Sequence, residues 1–502
     1  MKRCAIVCAV LGLAVALAAG QARGALDAEI AAILRDRLLA KATVGIRLVR
    51  LGDGGAAAEV LYAHNDTAPL IPASNMKLLT TAAALERLGP TFTFRTLLVQ
   101  HEEDLVLIGD GDPSLGDAEY LGRLKRQPLE VFADWAGRLK QAGLTSFRRL
   151  VVDDSIFDET LVHPQWDARH LNNRYCAQIA GLTFNAGCVD FQVRGGRPGQ
   201  AVHYTMVPPT AYVTVRNSCI TGGENAVVLE RAPGSNEIVL RGTAPADNAA
   251  AVSVPVHDPA MYAGTVLAET LAGAGIKVGG VVRDRTLRSA LLGRRAEGRF
   301  RLLAVHETPI AQVLARCNKD SMNMYAESLA KRLGAAASGG AGSWDSFAAA
   351  AGDYLSRIGV APERCRISDG SGLSRQNLLT AEAICRILEH CYSGPNREVF
   401  MNSLAVPGHE GTLEKRFAGS DLRQRVMAKS GYINQVSALS GYLKGRDDRW
   451  YAFSILMNGL PPMSNTQAKA LQESIVRALD GATRGTGAGG PAGSRGRRSP
   501  GG

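Results

Sequence analysis

Ser74 and Lys77 lie three residues apart at the start of a predicted helix that ends near Leu88. Residues at this spacing share one helix face, with their Cβ atoms about 5–6 Å apart. A serine hydroxyl becomes a good nucleophile when a base removes its proton, and a buried lysine with a lowered pKa can be that base. Ser74 is also expected to open the helix, where unpaired N–H groups and the dipole favour developing negative charge. The pair therefore indicates nucleophilic catalysis, although Ser-x-x-Lys alone is a common pattern.

Ser321 and Asn323 form a second group, placed between two predicted helices over residues 310–315 and 324–333. On an exposed turn, a serine and an asparagine one residue apart can point a hydroxyl and an amide into the same cleft. The alternative is a helix N-cap, since both residue types are good caps.

Lys429, Ser430 and Gly431 form a third group, at the end of a predicted strand over residues 425–432. A glycine at this place suits the close approach of another backbone or of a ligand. The alternative is a strand-end turn with a solvated lysine. None of the three groups is enough to predict a function alone, so the prediction depends on all three and on their order along the chain.

Together and in this order, the three groups resemble the motif set of the penicillin-recognising serine acyltransferases, which are the penicillin-binding proteins and serine β-lactamases. Ser321 follows Lys77 by 244 residues, whereas β-lactamases and compact DD-peptidases have a far shorter gap. The long insertion resembles the class C low-molecular-mass penicillin-binding proteins, the D-alanyl-D-alanine carboxypeptidase/endopeptidase family of the penicillin-binding protein 4 type. Further stretches fit that family, over about residues 27 to 480: Leu107–Leu115, Asp154–Phe157, Asp258–Gly264 and Asp369–Arg375.

The resemblance implies catalytic roles for Ser74, Lys77 and Ser321. Lys77 would deprotonate Ser74, which attacks the carbonyl between two D-alanines at the end of a peptidoglycan stem peptide. The backbone N–H groups of Ser74 and Tyr432 would hold the oxyanion, and Ser321 would relay a proton to the leaving amine. Water would then hydrolyse the acyl-enzyme, and penicillin, which mimics the dipeptide, would trap it.

Substrate binding is assigned by the same resemblance to Asn323, Lys429, Ser430, Gly431 and Tyr432. Asn323 would bind the substrate amide, and Lys429 with Ser430 would meet the terminal carboxylate. The expected partners are therefore peptidoglycan stem peptides and β-lactams. No cofactor or metal is expected, because the cysteines lack zinc-site spacing and no His-Glu-x-x-His run occurs.

Other functions stay open beside the carboxypeptidase. A serine β-lactamase would use the same chemistry, and a non-catalytic peptidoglycan-binding protein would use the insertion alone. Carboxypeptidase and endopeptidase activities cannot be separated, because both cleave after D-alanine at one site. Asp158 and Glu159 are candidates for binding the free amine of a diaminopimelate side chain, with a solvated acidic turn as the alternative. A Ser-His-Asp hydrolase is disfavoured, because no Gly-x-Ser-x-Gly run occurs.

The predicted elements around these residues match the layout of the penicillin-recognising fold, a five-stranded sheet covered by helices. The predicted class is α+β and multi-domain: a β-lactamase-like serine transpeptidase fold with a large β-rich insertion of two domains. The predicted elements of the catalytic part are a helix over residues 28–39, strands over 43–51, 59–63, 425–432, 436–444 and 450–457, and a helix over 467–479.

The family resemblance, together with the predicted elements, implies that the chain has five parts. The predicted parts are a signal peptide (residues 1–24), a discontinuous catalytic domain (25–88 and 300–480), an inserted domain II (89–165 and 258–299), a nested domain III (166–257) and a disordered Gly/Arg-rich tail (481–502). The leader has Lys2 and Arg3 before a short apolar run, which is typical of secretion. We therefore expect a secreted, periplasmic or otherwise extracytoplasmic protein with no transmembrane segment.

The net charge of +10 does not indicate nucleic-acid binding. Seven basic residues lie in the leader and tail, where no acidic residue offsets them, which leaves +3 for the body. No basic stripe with interleaved aromatic residues stands out. Seven of the nine cysteines lie beyond the leader, so at least one stays unpaired. Cys176 and Cys188 flank an apolar segment and are predicted to form a disulfide.

Overall fold

The computed structural model describes residues 23–52, 57–246, 249–292 and 300–483. The predicted signal peptide, apart from residues 23 and 24, lies outside the described residues, and so does the predicted tail from residue 484 onward. Within the described residues, no helix has both the length and the apolar character needed to cross a membrane.

The helices and strands follow one another in the order expected for a sheet interrupted by a long insertion. The helices are α1 (residues 23–34), α2 (Met76–Leu88), α3 (Ala118–Arg123), α4 (Glu130–Gln141), α5 (Pro259–Gly273), α6 (Leu287–Leu292), α7 (Ile310–Lys319), α8 (Asn323–Ser338), α9 (Trp344–Arg357), α10 (Ala381–Ser393), α11 (Arg397–Asn402) and α12 (Asn465–Ala482). The strands are β1 (Thr43–Arg50), β2 (Glu59–His64), β3 (Thr93–His101), β4 (Asp104–Ile108), β5 (Ser146–Phe147), β6 (Leu150–Asp153), β7 (Cys188–Arg194), β8 (His203–Val207), β9 (Thr214–Asn217), β10 (Ile220–Thr221), β11 (Val228–Arg231), β12 (Glu237–Arg241), β13 (Thr243–Ala244), β14 (Ala249–Pro255), β15 (Lys277–Val278), β16 (Val281–Arg283), β17 (Phe300–Pro309), β18 (Val426–Ile433), β19 (Val436–Lys444) and β20 (Trp450–Asn458).

A five-stranded antiparallel sheet forms the centre of the catalytic part, in the order β18-β19-β20-β1-β2. Successive side chains of a strand point to opposite faces, so Ala438 and Tyr442 pack against one core while Leu439 and Leu443 pack against another. Helices α2 and α7 to α10 cover the first face, and α1 with α12 cover the second. This arrangement confirms the predicted α+β fold.

The predicted bounds of the elements are close to the observed ones, with one clear difference at the amino terminus. Strand β19 has its predicted ends, whereas the first helix covers residues 23–34 rather than 28–39. The chain turns at Asp36, whose carboxylate accepts a hydrogen bond from the Leu38 backbone and begins a short 3-10 turn over Arg37–Leu39. An aspartate cap in the middle of the predicted segment therefore ends the α-helix early.

The insertion is rich in strands and is built around a second five-stranded sheet, in the order β16-β6-β4-β3-β17. Strand β17 pairs antiparallel with β3 along its length, although the sequence boundaries placed residues 300–309 in the catalytic domain. Smaller sheets follow, in the orders β14-β7-β8 and β11-β12-β9, with the pairs β10-β13 and β15-β5. We propose the three-domain division as predicted, with β17 assigned to the inserted part.

The predicted disulfide between Cys176 and Cys188 is wrong, because both thiols are free and buried. Cys176 ends a 3-10 turn and Cys188 begins β7, and both pack as small apolar side chains in one core. Burial raises the pKa of each thiol to about 12, which keeps it protonated. Elsewhere in the described ranges, no three metal-ligating side chains gather into a cluster.

Candidate active site

Ser74 lies in a 3-10 turn over Ala73–Asn75, and helix α2 begins only at Met76. The expectation that Ser74 opens the α-helix is therefore slightly wrong, because Ala73 has a left-handed φ of 46° and starts a tighter turn. The Asn75 amide and the Ser440 hydroxyl on β19 are hydrogen-bonded at 2.6 Å. This contact attaches the turn to the central sheet.

Two glycines allow other backbones to approach the turn closely. A Cβ atom at Gly372, where φ is 82°, would lie 1.8 Å from the carbonyl oxygen of Ala73. A Cβ atom at Gly431 on β18 would lie 3.0 Å from the Ser74 nitrogen and 2.9 Å from the Pro72 carbonyl oxygen. The end of β18 therefore runs directly beside the backbone of Ser74, as the sequence predicted for Gly431.

The Lys77 amine is fully buried and lies among three oxygen atoms. Its Nζ atom is 3.1 Å from Ser74 Oγ, 2.7 Å from Asn323 Oδ1 and 2.8 Å from the Ser371 carbonyl oxygen. Burial lowers the pKa of Lys77, against the opposing influence of nearby acidic groups. When neutral, the amine can donate two hydrogens to Asn323 and Ser371 and accept the Ser74 proton through its lone pair.

Ser321 and Lys429 form a second hydrogen-bonded pair. Lys429 Nζ donates to Ser321 Oγ at 2.9 Å and to the Ser430 carbonyl oxygen at 2.8 Å. Burial lowers the pKa of Lys429 well below its usual range, and the neighbouring Lys77 charge lowers it further. Contacts between Lys77 and Asn323 and between Lys429 and Ser321 thus bring all three sequence groups together.

The turn that carries Ser321 and Asn323 is not capped by either residue. The cap position of α8 is Met322, which makes no side-chain cap bond, and Ser321 has a left-handed φ of 60°. The alternative interpretation of this motif as a simple N-cap is therefore wrong. Both polar side chains bond to lysines instead, with Asn323 at the first position of α8.

Sequence reasoning missed Tyr175, whose backbone carbonyl accepts a hydrogen bond from Asn323 Nδ2 at 2.9 Å. Tyr175 belongs to the inserted part and lies 148 residues before Asn323. A backbone acceptor carries no residue-type signal, so no pattern in the sequence could have identified it.

A second missed residue is Glu327, which supports the carbonyl group that binds Lys77. Its buried carboxylate accepts hydrogen bonds from the backbone nitrogens of Gly370 (2.9 Å) and Ser371 (2.8 Å), and from the Trp344 indole (2.8 Å). Burial and the adjacent Asp369 raise the pKa of Glu327 to about 7. In the sequence, the stretch Asp369–Arg375 stood out only because it fits the family. The structure shows that it lies beside Lys77 and provides the Ser371 carbonyl group that the lysine contacts.

The site opens into a cleft of about 990 Å³. Ser74, Asn323 and the half-exposed Tyr432 line it, while Lys77 and Lys429 are buried beneath. The rest of the lining comes from the segments 165–176, 372–376 and 433–435, which include the charged residues Asp167, Arg169 and Arg375.

Asp158 and Glu159, the candidates for amine binding, do not line this cleft. Asp158 accepts a hydrogen bond from the buried Lys331 amine at 2.6 Å. Glu159 is exposed and lies near Arg285. Amine binding by these two residues stays a prediction, although Asp158 already pairs with a buried lysine from α8.

Comparisons with known proteins agree with this geometry. Residues 26–481 match the family model "D-Ala-D-Ala carboxypeptidase 3 (S13) family". The chain is 33% identical over 489 residues to a D-alanyl-D-alanine carboxypeptidase of Actinomadura sp. (strain R39), covering 92% of this chain and 86% of the relative.

Solved structures show the same fold. Penicillin binding protein 4 (dacB) from Haemophilus influenzae superposes with a TM-score of 0.74 at 20% identity, over 90% of this chain and 99% of that one. The same Haemophilus protein complexed with a β-lactam superposes with a TM-score of 0.69 at 20% identity, over 90% and 98% of the two chains.

Proposed function

The chain belongs to the D-Ala-D-Ala carboxypeptidase 3 (S13) family, and we propose that it is a serine-type carboxypeptidase acting on D-alanyl-D-alanine ends of peptidoglycan stem peptides. The membership confirms the predicted resemblance to class C penicillin-binding proteins. The observation that carries the proposal is the contact between the buried Lys77 amine and the Ser74 hydroxyl, at 3.1 Å. Two similar proteins support the proposal. One is named a D-alanyl-D-alanine carboxypeptidase, and the solved structure of the other contains a bound β-lactam.

Acylation begins when neutral Lys77 takes the hydroxyl proton of Ser74. The Ser74 oxygen then bonds to the carbonyl carbon between the two D-alanines, and the carbonyl oxygen becomes an oxyanion. We assign its donors to the backbone N–H groups of Ser74 and Tyr432, a pairing supported by the close approach of Gly431 to the Ser74 nitrogen. Loss of one such donor typically slows catalysis about 10²–10³-fold.

Collapse of this intermediate breaks the bond to the leaving amine, which needs a proton. Ser321 is placed to donate it, and Lys429, 2.9 Å from the Ser321 oxygen, can replace it. D-alanine leaves, and the rest of the peptide stays as an ester on Ser74. Attack by water then releases the shortened peptide: Lys77 returns its proton to the Ser74 oxygen, and a proton from the water passes through Ser321 to Lys429.

The peptide would lie along β18, which is an edge strand of the central sheet. Such an edge offers main-chain hydrogen bonds to an extended ligand. The Asn323 amide carries a second hydrogen that can be donated to a substrate carbonyl. Lys429 and the Ser430 hydroxyl are proposed to bind the terminal carboxylate, so a chain ending at D-alanine is preferred.

The setting of the reaction is also part of the proposal. The predicted leader would direct the protein across the cytoplasmic membrane, where peptidoglycan lies. Endopeptidase cleavage of D-alanyl cross-links would use the same residues, because it breaks the same type of bond.

One experiment tests the proposal against its alternatives. The purified protein is incubated with a penicillin and followed by intact mass, and a pentapeptide ending in D-alanyl-D-alanine is offered separately. We expect one lasting penicilloyl group on Ser74 and release of D-alanine, and neither with Ser74→Ala. Rapid drug hydrolysis without D-alanine release would identify a β-lactamase, and neither adduct nor product would identify a binding protein.

A further inference from the structure

One buried carboxylate of the inserted part contacts both helices that flank the Ser321–Asn323 turn. Asp117 caps α3 in the insertion and is fully buried. It accepts hydrogen bonds from Arg316 Nη2 on α7 at 2.9 Å and from the Tyr325 hydroxyl on α8 at 2.6 Å. The two donors lie on either side of the turn, so a single carboxylate sets how far apart α7 and α8 can move.

The same network reaches the residue directly before Ser321. Asp320 accepts hydrogen bonds from Arg316 Nη1 at 2.8 Å and from Arg123 Nη1 at 3.0 Å. Arg123 is the last residue of α3, so both ends of this inserted helix contact residues that flank the Ser321–Asn323 turn. Arg316 is 2% exposed, and it therefore has little opportunity to replace a lost carboxylate with water.

The turn depends on these contacts because its own sequence does not stabilise it. Ser321 has φ of 60°, a conformation that L side chains rarely adopt. Met322, at the cap position of α8, has no side chain that can accept a backbone hydrogen bond. Backbone conformations of this kind persist only where the surroundings enforce them.

We propose that Asp117 is a positioning residue for acylation: through Arg316 and Tyr325 it holds Ser321 in place at Lys429. The inference rests on the proposed function, since it concerns the same site. It assigns the insertion a direct role in the reaction, in addition to any role in binding the cell wall. Arg316 and Arg174 keep Asp117 ionised, because their charges lower its pKa although burial opposes them.

The main test is Asp117→Asn, which keeps the size of the side chain but removes the charge that Arg316 requires. Acylation by a penicillin is followed by intact mass on protein shown to be folded by circular dichroism. We expect acylation to be slower by about tenfold or more, because small displacements of a catalytic group have effects of this size.

Asp104→Asn is the matched control. Asp104 is also a buried carboxylate of the insertion with two arginine partners, Arg148 (2.8 Å) and Arg149 (2.9 Å), and both partners lie in the insertion. We expect a lowered melting temperature but an acylation rate within about twofold of the wild type. A tenfold loss in this control would mean that general destabilisation of the insertion is sufficient, which overturns the inference.

A Ser321→Ala background shows whether Asp117 acts through the turn. If it does, the two losses are not additive, and Asp117→Asn should slow acylation by less than about twofold when Ser321 is absent. An undiminished tenfold effect in that background would contradict the inference. If Asp117→Asn does not fold, Tyr325→Phe removes one of the two bonds without changing charge, and we expect about a threefold loss that also disappears without Ser321.

The results separate this inference from the proposed function. A wild-type protein that acylates, with an Asp117→Asn variant that acylates equally fast, would overturn the inference alone. A wild-type protein that never acylates would overturn both.

Discussion

The nucleophile and the Ser321–Asn323 turn are held by different parts of the molecule. The turn around Ser74 is fixed within the catalytic part, by the approach of Gly372 and Gly431 and by the bond from Asn75 to β19. The other turn contacts the insertion, through Asp117, Arg123 and the Tyr175 carbonyl. One half of the site is therefore intrinsic to the central sheet, and the other half depends on residues inserted between its strands.

This difference has a physical cause. The turn around Ser74 precedes a helix that packs on the sheet, so its neighbours are numerous and rigid. The Ser321–Asn323 turn joins two helices without a side-chain cap, and rigid support must come from elsewhere. The inserted helix α3 supplies charged partners, Asp117 for Arg316 and Arg123 for Asp320.

Removing the nucleophile should have the largest effect on activity. Ser74→Ala should abolish both penicillin labelling and D-alanine release, because it removes the hydroxyl that lies 3.1 Å from the Lys77 amine. The side chain makes little packing contact, so the melting temperature should change by only about 1–2 °C. Intact mass measures the penicillin labelling, and differential scanning calorimetry measures the melting temperature. A lasting penicilloyl adduct on Ser74→Ala would disprove the assignment of Ser74 as the nucleophile.

Replacing Lys77, the proposed base, should have the second-largest effect on activity. Lys77→Arg should lower acylation by about 10²–10⁴-fold, because a guanidinium does not give up its proton in proteins. In the wild type, the lowered pKa of Lys77 implies that acylation rises with pH through a value below 10.5. Rates measured over a pH series would reveal this rise, and near-normal acylation by Lys77→Arg would exclude Lys77 as the base.

The close approach of Gly372 to the turn around Ser74 can be tested by substituting two glycines. Gly372→Ala should destabilise the protein by about 3 kcal/mol or more and slow acylation, since it adds both a strained φ and a clash with the Ala73 carbonyl. Gly359→Ala is the control, because Gly359 has a similar φ of 78° but no atom within 4 Å of an added Cβ. It should cost about 1 kcal/mol and leave acylation unchanged. Equal effects in urea unfolding would refute the close-approach argument.

The contribution of Asp117 to the stability of the protein should depend on pH. Asp117 has a lowered pKa in the folded state, so its contribution is present above the unfolded value of about 3.9 and is lost as the pH falls through the folded value. The wild type should therefore exceed Asp117→Asn in stability by roughly 3 kcal/mol at pH 7. The gap should shrink below about pH 4. A gap in urea-unfolding free energy that stayed constant down to pH 2.5 would contradict this assignment.

The smallest effect is expected from Tyr175→Phe. Asn323 bonds to the backbone carbonyl of Tyr175 and not to its hydroxyl, so the contact should survive. Penicillin acylation should stay within about twofold of the wild type. A larger loss would show that the hydroxyl, which contacts His170, takes part in the reaction.

The predicted elements succeeded where the signal was local. The strands predicted over residues 436–444 and 450–457 are β19 and β20, with bounds within one residue of the observed ones. The contacts that the sequence did not reveal link distant segments: Lys331 with Asp158, Arg316 with Asp117, and β17 with β3. None of these pairs has a spacing or residue type that distinguishes it from many others in the chain.

The cysteines illustrate the same limit. Their flanking positions around an apolar segment predicted a bridge between Cys176 and Cys188, but both thiols are buried and free. A disulfide requires a specific distance and angle between two side chains. Sequence spacing does not determine either quantity.

By itself, the sequence determined which chemical groups the protein has and in which order: Ser74 with Lys77, Ser321 with Asn323, and Lys429 at the end of a strand. It also indicated the fold, through the order of the predicted elements and the resemblance of its motifs to those of a known family. Only the tertiary structure decided that Lys77 is buried and that Glu327 supports its carbonyl partner. It alone also decided that Asp117 contacts both helices beside Ser321. Burial and distance depend on how remote segments pack, and packing is a property of the whole chain.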